Sequence, residues 1–152
     1  AVNDGKNLEA RTKMLVASNM AIMAFSMSGL FYPVHNVAHA VGGQLRIAHG
    51  EANAVLIPIL MDKFPKHYLN SAEVLADAFG FHSQGKTAEE IVSTAAERVR
   101  DLQKKCGVNE KFNQPIDDTT RELMYWAVKF DPSGLFYPLT DVVIRETLAA
   151  AF

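Results

Sequence analysis

Cysteine is nearly absent. Cys106 is alone among 152 residues, which excludes an internal disulfide and favours a reducing, cytoplasmic setting. In "KKCGV" it falls where a helix is expected to end, and with no electropositive pocket to lower its pKa it reads as an inert thiol. A basic excess is missing too. The net charge is −2 and the pI about 6.2, which argues against a nucleic-acid partner, because gripping phosphates takes a positive surface. Strand-like alternation of any length is also absent. The chain opens at Ala1 with neither a Met nor a basic-then-apolar leader, so a processed start or a piece of something longer is expected.

From Met14 to Val34 there is no charge at all, over about the length that spans a bilayer. Ser18, Asn19, Ser26 and Ser28 interrupt the run, Pro33 lies near its end, and no positively charged loop flanks it, so no membrane span is expected. A helix apolar all round also suits the centre of a helical domain, and that is the expectation here. With 49% hydrophobic and 21% charged residues, the composition is that of an ordinary globular chain large enough for one substantial core.

What is present reads as an all-α, multi-helix bundle in one domain spanning 1–152. Helices are expected over 8–27, ending at Gly29, and over 34–41, with Pro33 in the first turn and Gly42-Gly43 as the stop. A third covers 51–64, where Pro58 costs an internal hydrogen bond and should bend it. Ser71 is expected to cap 71–79, and Thr87 with Glu90 forms a capping box ahead of a helix with an Ile91, Ala95, Val99, Leu102 stripe. Helices over 117–130 and 140–152 complete the set. "GLFYPVHN" (29–36) is echoed by "GLFYPLTD" (134–141), two similar connections whose aromatic pairs either line one pocket or pack beneath the domain.

Chemistry concentrates in "VHNVAHAVGGQLRIAHGEANAV" (34–55). His35 and His39 are four apart and share a helix face; His49 follows the glycine pair and can return toward them. Neutral imidazoles suit Zn, Fe, Ni or Cu. The alternative is core histidines bonded to backbone carbonyls, and the two readings stand even. From spacing alone the ligand pair would be His35 with His39. Carboxylates are scarce, with only Glu51 and Asp62 near in sequence, so the set falls short of the three or four protein ligands of a catalytic metal.

The same segment, preceded by "EARTKMLVASNMAIMAFS" and carrying H-x3-H-x9-H-G, resembles the C-terminal helical domain of the iron-containing (group III) alcohol dehydrogenases, in the dehydroquinate synthase-like superfamily. The likeness is strong over residues 8 to 62 and weak beyond. It implies that His35 and His49 ligate the metal (Fe2+, or Zn2+ instead), that His39 handles the proton or substrate, and that Phe25 lies beside the substrate and nicotinamide of NAD(P). The loop "SMSGLFYPV" is bulkier and one residue longer than the family's usual glycine-rich connection. The family also carries an Asp and a His, four apart on an earlier helix, and an N-terminal nucleotide-binding domain. No D-x3-H and no dinucleotide fingerprint occur here.

The resemblance therefore implies the C-terminal part of a two-domain enzyme that interconverts alcohols and aldehydes. Alone, the piece is expected to bind metal weakly or not at all, to be inactive, and to self-associate through apolar surface its missing domain would cover. Three alternatives remain. One is a zinc-dependent dehydroquinate synthase-like lyase, suggested by "HGEANAV" (49–55). Another is a non-catalytic helical interaction module. The third is one subunit of a two-chain enzyme whose other half is separate.

Overall fold

Asn7 accepts a hydrogen bond from the Ala10 N–H and starts α1, Leu8–Ser28, with Glu9 and Lys13 paired one turn apart. In the computed structural model the described residues are 1–28, 33–134 and 138–152. The chain divides into two compact units, Ala1–Phe31 and Tyr32–Phe152. In the first unit the apolar residues of α1 are spread around its whole circumference, and Met14, Leu15, Val16, Met20, Ile22 and Met23 are exposed. The expected burial of this helix is not met within its own unit, where among the described residues no second helix encloses it; a helix apolar all round needs cover on every side. No helix among the described residues is long and apolar enough to cross a membrane.

Among the described residues six α-helices build the second unit: α2 (Pro33–Leu45), α3 (His49–Lys63), α4 (Ala72–Phe79), α5 (Ala88–Cys106), α6 (Asp118–Phe130) and α7 (Asp141–Ala151). No strand occurs among the described residues, so the all-α expectation holds. Helix α3 is the hub, packing against α2, α5 and α7, while α6 covers α2 and α4 covers α5. Leu56 and Leu60 of α3 are fully buried with Val37 and Val41 of α2, Met124 of α6 and Leu148 of α7. Each such side chain is worth about 1.5–3 kcal/mol of apolar burial. A second cluster joins Met61 to Ala72, Ala76, Ile91, Val92, Ala95 and Ala96.

The Thr87 and Glu90 signal acts as expected, forming the reciprocal capping box. Asp117 and Thr140 also accept from N–H groups in the first turns of α6 and α7. Gly107, at φ 71, ends α5 just after Cys106, which is a free thiol. Ser71 is the residue before α4 but makes no side-chain cap, because a 3₁₀ turn over Leu69–Ser71 delivers the chain already coiled. On α5 the expected Ile91 and Ala95 are buried and Val99 packs partly against them, joined by Val92, Ala96 and Gln103, whereas Leu102 is exposed.

The glycine pair does not stop α2. The helix runs through Gly42 and Gly43 to Leu45, and the reversal comes at Arg46, whose φ of 55 is left-handed. A Cβ on Gly42 would sit 3.3 Å from the Ile47 carbonyl oxygen, so the returning connector passes directly over that glycine. Residues 46 to 48 can reach back by about 10 Å at roughly 3.3 Å each. Ala48, with φ −58 and ψ 134, then opens α3 at His49, two residues before the expected Glu51.

Candidate metal and proton-transfer site

Core packing decides which side of α2 stays open. Val34, Asn36, Val37, Ala38, Ala40 and Val41 are buried, and the two histidines are left toward the rim: His35 half-buried, His39 exposed. Because the connector doubles back over Gly42, His49 in the first turn of α3 arrives beside the first turns of α2 instead of at its far end. The three rings form one cluster, with centroids 4.7 Å apart for His35 and His49, 5.4 Å for His39 and His49, and 5.7 Å for His35 and His39.

Within the cluster the nitrogens are not equivalent. His35 Nε2 and His49 Nε2 lie 3.2 Å apart. His39 turns its Nδ1 to Asp131, 3.1 Å from Oδ2. The i,i+4 pair favoured by spacing is thus not the pair with facing nitrogens. Burial first, then the His49 and His39 imidazoles, hold the His35 pKa below its ordinary value, which keeps the ring neutral and its lone pair available.

The remaining candidates lie elsewhere. Asp62 pairs with Arg100. Glu51 is exposed and lines a separate, polar cleft of about 190 Å³ with Arg46, Asn109 and Asn113. Phe25 is on α1, in the first unit, and is half-buried. The aromatic pairs Phe31-Tyr32 and Phe136-Tyr137 lie outside the described residues, as does any pocket they would share. Among the described residues no group of three or more His, Cys, Asp or Glu could hold a metal ion.

Asp131 escaped the sequence reading. It ends α6 in "FDPSG" and lies 92 residues from His39, so no spacing rule links the two. The only sequence signal is an acid at a helix end before a proline, which marks a turn.

The C-terminal part of the Fe-containing alcohol dehydrogenase family matches residues 1–122. This chain belongs to that family. The probable alcohol dehydrogenase EutG of Salmonella typhimurium is 52% identical over 61 residues, covering 40% of this chain and 15% of that protein. The 1,3-propanediol dehydrogenase of Klebsiella pneumoniae is 35% identical over 106 residues, 67% of this chain and 27% of that one. A methanol:N,N-dimethyl-4-nitrosoaniline oxidoreductase of Rhodococcus erythropolis is 30% identical over 135 residues, 88% and 31%. The chain thus spans 15% to 31% of the length of these relatives. No solved structure matches it.

Proposed function

We propose that this chain is the helical C-terminal part of a metal-dependent, cytoplasmic alcohol dehydrogenase that oxidises small alcohols, or reduces aldehydes, with NAD(P). The observation that carries the reading is the 3.2 Å separation of His35 Nε2 and His49 Nε2. Two metal–imidazole bonds of about 2.0–2.1 Å span up to roughly 4 Å between donor atoms, so both rings fit one ion. Imidazole donors suit iron or zinc.

In this reading His35 and His49 hold the divalent metal. The other ligands are assigned to an Asp and a His four apart on an earlier helix, and NAD(P) to an N-terminal nucleotide-binding domain, because two imidazoles fall short of a catalytic set. When bound, the metal supplies Lewis-acid polarisation of the alcohol oxygen. His39, with 47% of its side chain exposed, takes up the hydroxyl proton and passes it to water. Phe25 is assigned the aromatic contact to substrate and nicotinamide. The relatives' names support alcohol or aldehyde substrates over the cyclising chemistry of a dehydroquinate synthase.

The test is metal analysis and turnover of the full-length enzyme. His35→Ala and His49→Ala are each expected to lose the metal and the activity together. His39→Ala is expected to keep the metal and lose turnover. Unchanged metal content in both of the first two variants would sink the proposal.

A further inference from the structure

Asp131 is held in register with His39 by the same helix that carries His39. It closes α6 with an extended backbone, φ −65 and ψ 124, and the next residues, Pro132–Gly134, form a 3₁₀ turn tied by the Gly134 N–H to the Asp131 carbonyl at 2.9 Å. That turn rests on α2. A Cβ added to Gly134 would come within 2.7 Å of Asn36 Nδ2, and Asn36 is only 2% exposed. Asn36 therefore seats the turn that bears the carboxylate, while His39, three residues further along α2, meets that carboxylate with Nδ1.

We propose that Asp131 is a positioning residue for His39. Its carboxylate accepts the Nδ1–H, so the imidazole keeps one tautomer and presents Nε2 as its only acceptor. The Asp131 side chain is 17% exposed against 47% for His39, so the anchoring end is shielded and the working end meets solvent. An ionised acceptor makes a stronger hydrogen bond than a neutral one, which is what selects the tautomer. The inference rests on the proton-handling role given to His39 above and adds the group that sets up that role.

Two measurements test it. In 15N-histidine spectra of this chain, His39 is expected to carry its proton on Nδ1 and to have a pyridine-like Nε2, and D131N is expected to shift that balance toward Nε2–H. In the full-length, metal-loaded enzyme D131N is expected to lower kcat roughly 10- to 100-fold, within what a positioned proton-transfer group contributes. The KM for alcohol and the metal content should not move, and D131E should recover part of the loss. Asn has the size of Asp and would serve a purely structural role, so an unchanged kcat in D131N overturns the proposal. A wild-type His39 protonated on Nε2 does the same. A normal D131N beside an impaired His39→Ala defeats only the role of Asp131, whereas a fully active His39→Ala defeats the role given to His39 itself.

Discussion

The side-chain amide of Gln103, on α5, donates to the main-chain carbonyl of Ala54, on α3, at 2.5 Å. Four residues after Ala54 comes Pro58, which has no N–H with which to close that turn of the helix. The neighbouring helix answers the carbonyl that the proline leaves over, and this accounts for a glutamine 4% exposed on an otherwise apolar stripe. Gln103→Leu is expected to destabilise the protein by about 1–3 kcal/mol. In a Pro58→Ala background, where residue 58 brings its own N–H, the same change should cost less. Urea unfolding of the four proteins gives the coupling, and an equal cost in both backgrounds would contradict this account.

Gly134→Ala drives a methyl toward Asn36 Nδ2, a buried atom with little room to retreat. A loss of about 1–3 kcal/mol is expected from overpacking, together with a shifted His39 imidazole signal as the turn carries Asp131 away. Adding Asn36→Ala should remove most of the clash penalty. Denaturation curves and histidine spectra of the single and double variants check both statements.

Burial pushes the Tyr68 hydroxyl up to about 12. An unfolded tyrosine ionises near pH 10, so between about 10 and 12 the unfolded chain gives up its proton first. The stabilisation is complete below about pH 10 and drains away as pH climbs toward 12. Phenolate absorbance should show one of the four tyrosines titrating late. Tyr68→Phe should flatten the alkaline limb of the stability curve, and an identical limb would refute the assignment.

Zinc added to the isolated chain is expected to bind weakly, because among the described residues only two imidazoles converge with facing nitrogens. Calorimetric titration should give a shallow isotherm that His49→Ala abolishes. Tight, stoichiometric binding would mean that the donor set is already complete.

Leu123, Trp126 and Phe130 form an exposed stripe along α6, with Trp126 and Phe130 stacked at a centroid distance of 5.5 Å. Self-association is expected through such surface. Light scattering should find mass rising with concentration, and emission from Trp126, the lone tryptophan, should move to the blue as it does. Phe130→Lys should suppress both changes; a clean monomer throughout would rule the idea out.

Features set by a few adjacent residues were legible in the chain itself. The Thr87–Glu90 box needed only its neighbours in sequence. Gly42-Gly43 looked like a helix stop because nothing local reveals that Ile47 returns across it. For the same reason, spacing selected His35 with His39, and only the family resemblance pointed to His35 with His49. The Gln103 side chain made sense only once α3 lay beside α5, and the Asp131 partnership crosses 92 residues. Distance along the chain, more than chemical type, separated what could be read from what could not.

The doubling back at Arg46 has one more result. Both imidazoles whose nitrogens converge belong to a single uninterrupted stretch, 35–49, so no movement elsewhere in a larger enzyme can pull one from the other without unfolding that hairpin. They would travel through any opening and closing as a fixed pincer. An ion gripped there would meet the same bite in every state of such an enzyme.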